Sequence, residues 1–499
     1  MFPKNARSGA SLALLCLCCA AGVARAEGEE THLNLDLTVE QDYDSNVFAR
    51  ENDPIGSAVT IVRPSIGLES YGTLGHALLT GWLSSHTYWS ESELNGVDRG
   101  VAVDVDRTIL PRIALFGNGS YQRVAPRGEV RGPNIVTVGG SPGAPGEPVV
   151  SPGQLIAGAT PNVDLGQAEI GARYSLSPRS RLSLSGGPYS VDYLERSQPF
   201  SQFRDQSGWF TRLSLLRNWS AVDSLRVTLG ANGSTLDDFS NTGVLHSGTT
   251  NSDQQNLTFG WERHWNELWT TGVSIGVRRL VSQTKDASRR ITFAELDPNA
   301  PGGPAIVGVV GVVPTDFDSV GPGIIGGFSI ERVMPRGGIA LSYQRETRTT
   351  SSLFAADVNV DTVTASYIHR LSSRATLTFL GSFEHYESVD ESPQIFPATY
   401  IPGSFNPITG PDFVCAEGTL VTQGSGDDKG GQCEVTGSQT LTSNNWFASA
   451  RLDWQLRKRL STYAIFRYED RIGDDLLFGN DYSRFTVGVG LTYAYDLGL

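Results

Sequence analysis

The stretch Phe485-Thr486-Val487-Gly488-Val489-Gly490-Leu491-Thr492-Tyr493-Ala494-Tyr495-Asp496-Leu497-Gly498-Leu499 carries an apolar side chain at every odd position and a small or polar one at every even position. Successive side chains of an extended strand point to opposite faces, so the stretch reads as a strand with one greasy face. Its fifteen residues run well past the usual length of a globular strand. A strand of that length needs a sheet around it, and the rest of the chain supplies one.

The same alternation recurs along the chain, beginning near 33–41, 58–71, 76–90 and 98–110 and ending with 444–456, 460–471 and 482–499, for eighteen strands in all. The connections alternate too. Ser177-Pro178-Arg179-Ser180, Asn266-Glu267, Ser372-Ser373 and Arg457-Lys458-Arg459 are tight, whereas 125–161, 283–320 and 389–443 are long and rich in Gly, Pro, Asn and Asp. Structureless loops of that size count against a soluble domain but are expected of one end of a membrane barrel. The pattern predicts an all-β, transmembrane, antiparallel up-and-down barrel of about 18 strands, with 16 as the alternative. An even count places both termini on one side, expected to be the periplasm.

Charge placement supports this reading. Trp446, Ala448, Ala450, Leu452 and Trp454 share one face of their strand, and Arg451 and Asp453 lie on the other. A charge facing lipid at the midplane costs about 2–4 kcal/mol, so mid-strand charges must face a polar lumen. The acidic lumen candidates are Asp104, Glu169, Glu262, Glu331, Glu346, Glu384, Asp453 and Glu469. The basic ones are Arg173, Arg212, Arg226, Arg278, Arg348, Arg451, Arg467 and Arg484. Aromatics gather at predicted strand ends: Trp219, Trp265, Trp454 and Tyr495 at one level, and Tyr88, Trp89, Tyr121, Tyr193, Tyr386 and Tyr468 at the other. Such rings suit the two interfaces of a bilayer.

The N-terminus has Lys4 and Arg7, an apolar segment from Leu12 to Val23, and Ala24-Arg25-Ala26 ahead of an acidic run. This predicts a secretory leader over 1–26 and a barrel over 27–499. Cys16, Cys18 and Cys19 lack the small preceding residue that a lipidated cysteine requires. No later stretch reaches eighteen apolar residues, which excludes helical spans. Beyond the leader 36 basic residues face 53 acidic ones, and this balance argues against a nucleic-acid partner. Cys415 and Cys433 are the two cysteines beyond the leader, and in an oxidising compartment they are disulfide candidates. A metal pair is the alternative, although no histidine lies near.

The chemistry of catalysis is thin. The seven histidines are scattered without metal-ligand spacing, and no Gly-x-Ser-x-Gly accompanies any of them. No cofactor or metal site is expected, and an enzyme is not. The oxygen-rich Asp42-Tyr43-Asp44-Ser45-Asn46 lacks the glycine and distal glutamate of a calcium hand. The apolar run from Ala305 to Val313 falls in a predicted outer loop, where it would fold into the barrel, form a hairpin above the strands, or pack as an ordinary loop.

The segment Glu40-Gln41-Asp42-Tyr43-Asp44-Ser45-Asn46-Val47-Phe48, followed by Val62-Arg63-Pro64-Ser65-Ile66-Gly67-Leu68, resembles the opening of an outer-membrane β-barrel porin family associated with exopolysaccharide biosynthesis and export operons. Hairpins such as Leu176 to Leu184 and His369 to Ala375 are similar to its strand-turn-strand units. The long loops and the cysteine pair depart from it. The resemblance implies polysaccharide export across the outer membrane. The partners it implies are the polysaccharide itself and periplasmic export components.

Physically, a lumen of mixed sign suits passive sliding of a hydrated chain, and equally a general or solute-selective diffusion porin. A surface structural or adhesin barrel acting through its loops is the third reading. A TonB-type importer would need a plug domain, whereas strand alternation starts near Leu33. Lipids, lipopolysaccharide and the barrel-assembly machinery are the remaining expected partners. Gly490, Tyr493 and Tyr495 are expected to carry the C-terminal insertion signal.

Overall fold

The structure is a computed structural model that describes residues 30–48, 53–124, 162–194, 205–236, 245–246, 249–285, 288–297, 305–314, 317–349, 357–388, 395–397, 399–406, 410–414, 419–423, 431–434, 442–473 and 481–498. Eighteen strands form one closed wall. They are β1 (Glu30–Asp44), β2 (Ser57–Gly72), β3 (Gly75–Tyr88), β4 (Gly96–Leu110), β5 (Ile113–Val124) and β6 (Val163–Ser177), then β7 (Ser180–Tyr193), β8 (Gln206–Asn218), β9 (Asp223–Leu236), β10 (Thr249–His264), β11 (Trp269–Lys285) and β12 (Phe317–Met334). The wall is completed by β13 (Gly337–Thr349), β14 (Asp357–Arg370), β15 (Ala375–Ser388), β16 (Thr442–Arg457), β17 (Leu460–Gly473) and β18 (Tyr482–Gly498).

Each strand pairs antiparallel with its chain neighbours. The last returns to the first, from His32 opposite Gly498 to Asp44 opposite Thr486. Closure removes the free edges that an open sheet would expose. At a rise of about 3.4 Å and a tilt of about 40°, even a twelve-residue strand such as β5 climbs about 30 Å, enough to cross a bilayer core.

All eight connections at the end that holds the termini are two to four residues long. Side chains tie the four-residue ones. The Ser220 hydroxyl accepts from the Val222 and Asp223 amides at 3.1 and 2.9 Å, and Asn266 Oδ1 accepts from the Leu268 and Trp269 amides at 2.8 and 3.0 Å. Ser372 does the same for Arg374 and Ala375. A local acceptor of this kind is why Ser and Asn stand at those positions.

The opposite, loop end is built differently. The apolar run from Ala305 belongs to a hairpin in which Ser288–Asp297 pairs with Ala305–Pro314, and with Leu245–His246 it forms a small sheet separate from the wall. Part of 389–443 forms two small sheets from short strands. Residues 1–26, where a leader is expected, residues 125–161, where a long loop is expected, and Cys415, with its expected disulfide, lie outside the described residues.

The exterior is apolar. Ile275, Val277 and Ile324 are 60% exposed or more, and Leu37, Ile66, Ile170, Leu184, Leu229, Phe259, Phe466 and Val489 stand on the same outer surface around the ring. In water such a belt would aggregate. In a membrane the antiparallel ladders satisfy the paired backbone of the wall, and the side chains match the hydrocarbon. Exposed Trp219, Trp265 and Trp454 mark the turn end of the belt, and Trp89 and Tyr468 the loop end.

One ladder of the wall stops well short of the ends of its strands. β12 and β13 pair from Met334 opposite Gly337 only as far as Gly326 opposite Arg345. Beyond that point β12 remains paired with β11 up to Phe317, and β13 remains paired with β14 up to Thr349.

Candidate functional site

Alternation decides which residues face the interior. On β18 the even positions turn inward, and Arg484, Thr486, Gly488 and Gly490 are buried there. The glycines shape the wall. A Cβ at Gly488 would fall 1.8 Å from Asp42 Oδ1, and one at Gly490 would fall 2.2 Å from Tyr463 Cζ. Their absence leaves a groove over β18 through which side chains of β17 and β1 meet.

An ion ladder fills that groove. The Arg467 guanidinium lies 3.7 Å from both Glu40 and Asp42, and Arg484 lies 3.6 Å from Asp44 and 3.0 Å from Glu469. The Tyr482 hydroxyl donates to Glu469 at 2.7 Å. Next to the ladder, Arg451 pairs with Asp453 at 2.7 Å and sits 3.9 Å above the Tyr463 ring. Glu40, Asp42, Asp44, Glu469 and Arg484 are almost fully buried, so each carboxylate is held by a neighbouring cation in place of water.

The other sequence-predicted positions spread around the ring. Arg173 reaches Asp106 at 2.5 Å and covers the Phe116 ring, while Glu169 accepts from Asn118 at 3.0 Å. Glu262 lies 3.2 Å from His264, Asp104 lies 2.8 Å from His76, and Glu346 accepts from Gln344 at 3.0 Å. Arg278 donates to Asn359 at 2.7 Å. Arg212, Arg226, Glu331 and Glu384 stand on the inward phase of their strands; the Arg348 side chain lies outside the described residues. The structure thus brings Arg451, Asp453, Arg467, Glu469 and Arg484 together and leaves the rest apart. Tyr493 is on the exterior at the turn end, and Gly490 and Tyr495 face opposite sides of β18.

Sequence reasoning did not single out three interior neighbours. Ser84, His86 and Asp98 are buried together, with His86 Nε2 at 3.0 Å from the Ser84 hydroxyl and 3.2 Å from Asp98. Both partners meet the same ring nitrogen. A proton relay needs the carboxylate on the opposite nitrogen, so this is a satisfied polar cluster and not a nucleophilic triad.

The larger surprise is apolar. Tyr88, Tyr193 and Tyr386 read as interface aromatics, but all three are buried in the interior. Their phase along the strand explains this: each lies two residues from an inward neighbour, His86, Val191 and Glu384 respectively. Tyr193 and Tyr386 join Val163, Leu165, Val191, Val358 and Val360 in one packed cluster. Its members come from β6 and β7 on one side and β14 and β15 on the other, with six strands between β7 and β14. Eighteen strands rolled into a circle would span a diameter of about 35 Å. Valine and tyrosine cannot bridge that distance, so opposite parts of the wall come into contact at the loop end.

A second cluster contains Val47, Phe48, Val59, Ile61 and Tyr88. It folds the connection after β1 inward, and the segment Asp44 to Phe48 is built for that. The Asn46 amide donates to Asp44 Oδ1 at 2.9 Å, the Asn46 side chain donates to the Ser483 carbonyl at 3.3 Å, and Ser45 exchanges bonds with Phe485. An Asx turn thus reverses the chain. It anchors the reversal to β18 and places Val47 and Phe48 against interior Val59 and Ile61.

No protein-family model matches the sequence, and no curated protein matches it. Among solved structures the chain is similar to the copper transporter OprC, with 9% identity, a TM-score of 0.42, and coverage of 90% of this chain and 62% of that one. It is similar to OccK1 (OpdK) of Pseudomonas aeruginosa, at 10% identity and a TM-score of 0.39 over 93% of this chain and 99% of that one. It is also similar to OccAB3 of Acinetobacter baumannii, at 11% identity and a TM-score of 0.41 over 95% and 100%. The chain therefore spans about three fifths of the length of OprC.

Proposed function

We propose that this barrel is an outer-membrane conduit, not an enzyme, through which a polysaccharide leaves the cell passively, with both termini in the periplasm. The observation that carries the reading is the contrast between the two surfaces of one closed wall: apolar outside, and lined inside by interleaved Arg, Asp and Glu. A mixed-sign wall offers a hydrated sugar chain many weak hydrogen bonds and no single deep trap. The resemblance of residues 40–48 to the exopolysaccharide-associated porin family points the same way. Lipopolysaccharide and lipids would contact the exterior belt, the assembly machinery would read the C-terminal strand, and periplasmic export components would dock at the turn end.

Deleting the gene tests this. Loss of surface polysaccharide, restored by the intact gene, is the expected result. Unchanged polysaccharide, with purified protein conducting small ions in planar bilayers, would favour a diffusion porin instead.

A further inference from the structure

Three observations at the loop end concern the same short segment. First, the β12–β13 ladder stops at Gly326 opposite Arg345, although both strands continue. Second, Val358 and Val360 on β14 are 1% and 0% exposed because they pack into the cluster that includes Val163 and Leu165 on the far wall. Third, Asn359, which by alternation faces away from those valines, accepts a hydrogen bond at 2.7 Å from Arg278, an inward-facing residue of β11. One face of the β14 segment therefore meets the far wall and the other meets the inner surface of β11. That is possible only if the upper ends of β13 and β14, still paired with β15 as far as Val358 opposite Ser388, curl away from β12 into the mouth.

We propose that the upper ends of β13 and β14 are a two-position gate, resting on the conduit reading above for what passes through it. In the position seen here the segment lies inward and seals the lumen with its valines. In the other its β13 edge swings back against β12 and continues the β12–β13 ladder, placing Ile325 opposite Glu346, Ile324 opposite Thr347 and Gly323 opposite Arg348.

The two positions are alternatives because the same backbone cannot do both. Inward, it gains the apolar cluster and the Arg278 bond. Outward, it gains ladder hydrogen bonds along the part of β12 that has no strand on that side among the described pairings. The sequence of β12 suits a branch point. Pro322 lacks an N–H and limits the extension to a few pairs. Gly326 and Gly327 lie where the strands part, and a Cβ at either would come within 2.6 Å of a neighbouring carbonyl oxygen. Gly323 provides the seat for Arg278, whose Nε is 2.5 Å from where a Cβ would be. Arg278 is then the latch of the inward position, and its guanidinium lets go of Asn359 when the segment moves out.

The gate is tested with two substitution sets in the full chain, reconstituted in planar bilayers. Ile324→Cys with Thr347→Cys places thiols that meet only in the outward position. Oxidation is expected to give a linked peptide identifiable by mass spectrometry and a several-fold rise in ion conductance that reductant reverses. Val358→Ser with Val360→Ser, or Arg278→Ala, weakens the inward position and should raise conductance and speed the crosslink. Heat-modifiable migration on gels shows that each variant is folded. A crosslink without a conductance change, or no crosslink even in the serine variant, overturns the gate. Raised ion conductance with unchanged surface polysaccharide in cells would keep the gate and reject the conduit reading.

Discussion

Replacing Val489 by lysine tests the sidedness of the wall at its most demanding point. Val489 is 57% exposed on the outer face of β18 and lies four residues from both Phe485 and Tyr493 on the same face. At a rise of about 3.4 Å per residue and a tilt of about 40°, four residues climb about 10 Å. Val489 therefore stands near the centre of an apolar band about 25 Å tall. A lysine there should cost about 2–4 kcal/mol, and at about 3 kcal/mol the folding equilibrium falls more than a hundredfold. The matched control is Thr492→Lys, three residues away on the inward face. It removes a 3.0 Å hydroxyl contact with Thr38, with a net loss of about 1 kcal/mol, and adds its charge to a polar interior. Urea titrations of folding into phosphatidylcholine vesicles, followed by tryptophan fluorescence and gel migration, give both numbers. If Thr492→Lys costs as much as Val489→Lys or more, the outer face of β18 does not meet lipid and the membrane reading fails.

Gly490→Ala should destabilise the barrel by about 1–3 kcal/mol, because its Cβ collides with the Tyr463 ring. Adding Tyr463→Ala should recover much of that loss in the same titration. Arg484→Met leaves Asp44 and Glu469 buried without their shared cation and should cost about 3–5 kcal/mol. Adding Glu469→Gln should restore part of it, and failure to do so would show that the ladder is not coupled. Lysine at both Tyr493 and Tyr495 should sharply lower the folded fraction recovered from cell envelopes; full recovery would remove these residues from the insertion signal.

Much of the wall was legible in the sequence because a barrel strand is a local pattern. Each residue's phase along its own strand decides whether it meets lipid or lumen, and that phase can be counted from Phe485 to Leu499 or from Trp446 to Leu456 without knowing the neighbours. The same counting placed Arg467 and Arg484 inward. It went astray at Tyr88, Tyr193 and Tyr386, where position near a strand end was read as an interface and the phase was not followed through. The hairpin containing Ala305 to Val313 was open to three readings, because an apolar run in a loop does not specify its partner. The role of the Asp44 to Phe48 segment was invisible for a related reason: its capping bonds reach Ser483 and Phe485, more than 400 residues away in the chain.

By itself the sequence determined the strand phases, the alternation of tight and long connections, the even strand number and the pairing of the last strand with the first. All of these follow from steric alternation and from the cost of placing charge in hydrocarbon. Only the tertiary structure decided whether the lumen is round or pinched, which glycines make room for the ion ladder, and where the ladder between β12 and β13 breaks. Those outcomes depend on which distant walls touch. Val163 and Val360 are ordinary inward valines in the sequence, and they become a seal only because the curvature of the whole sheet brings them together.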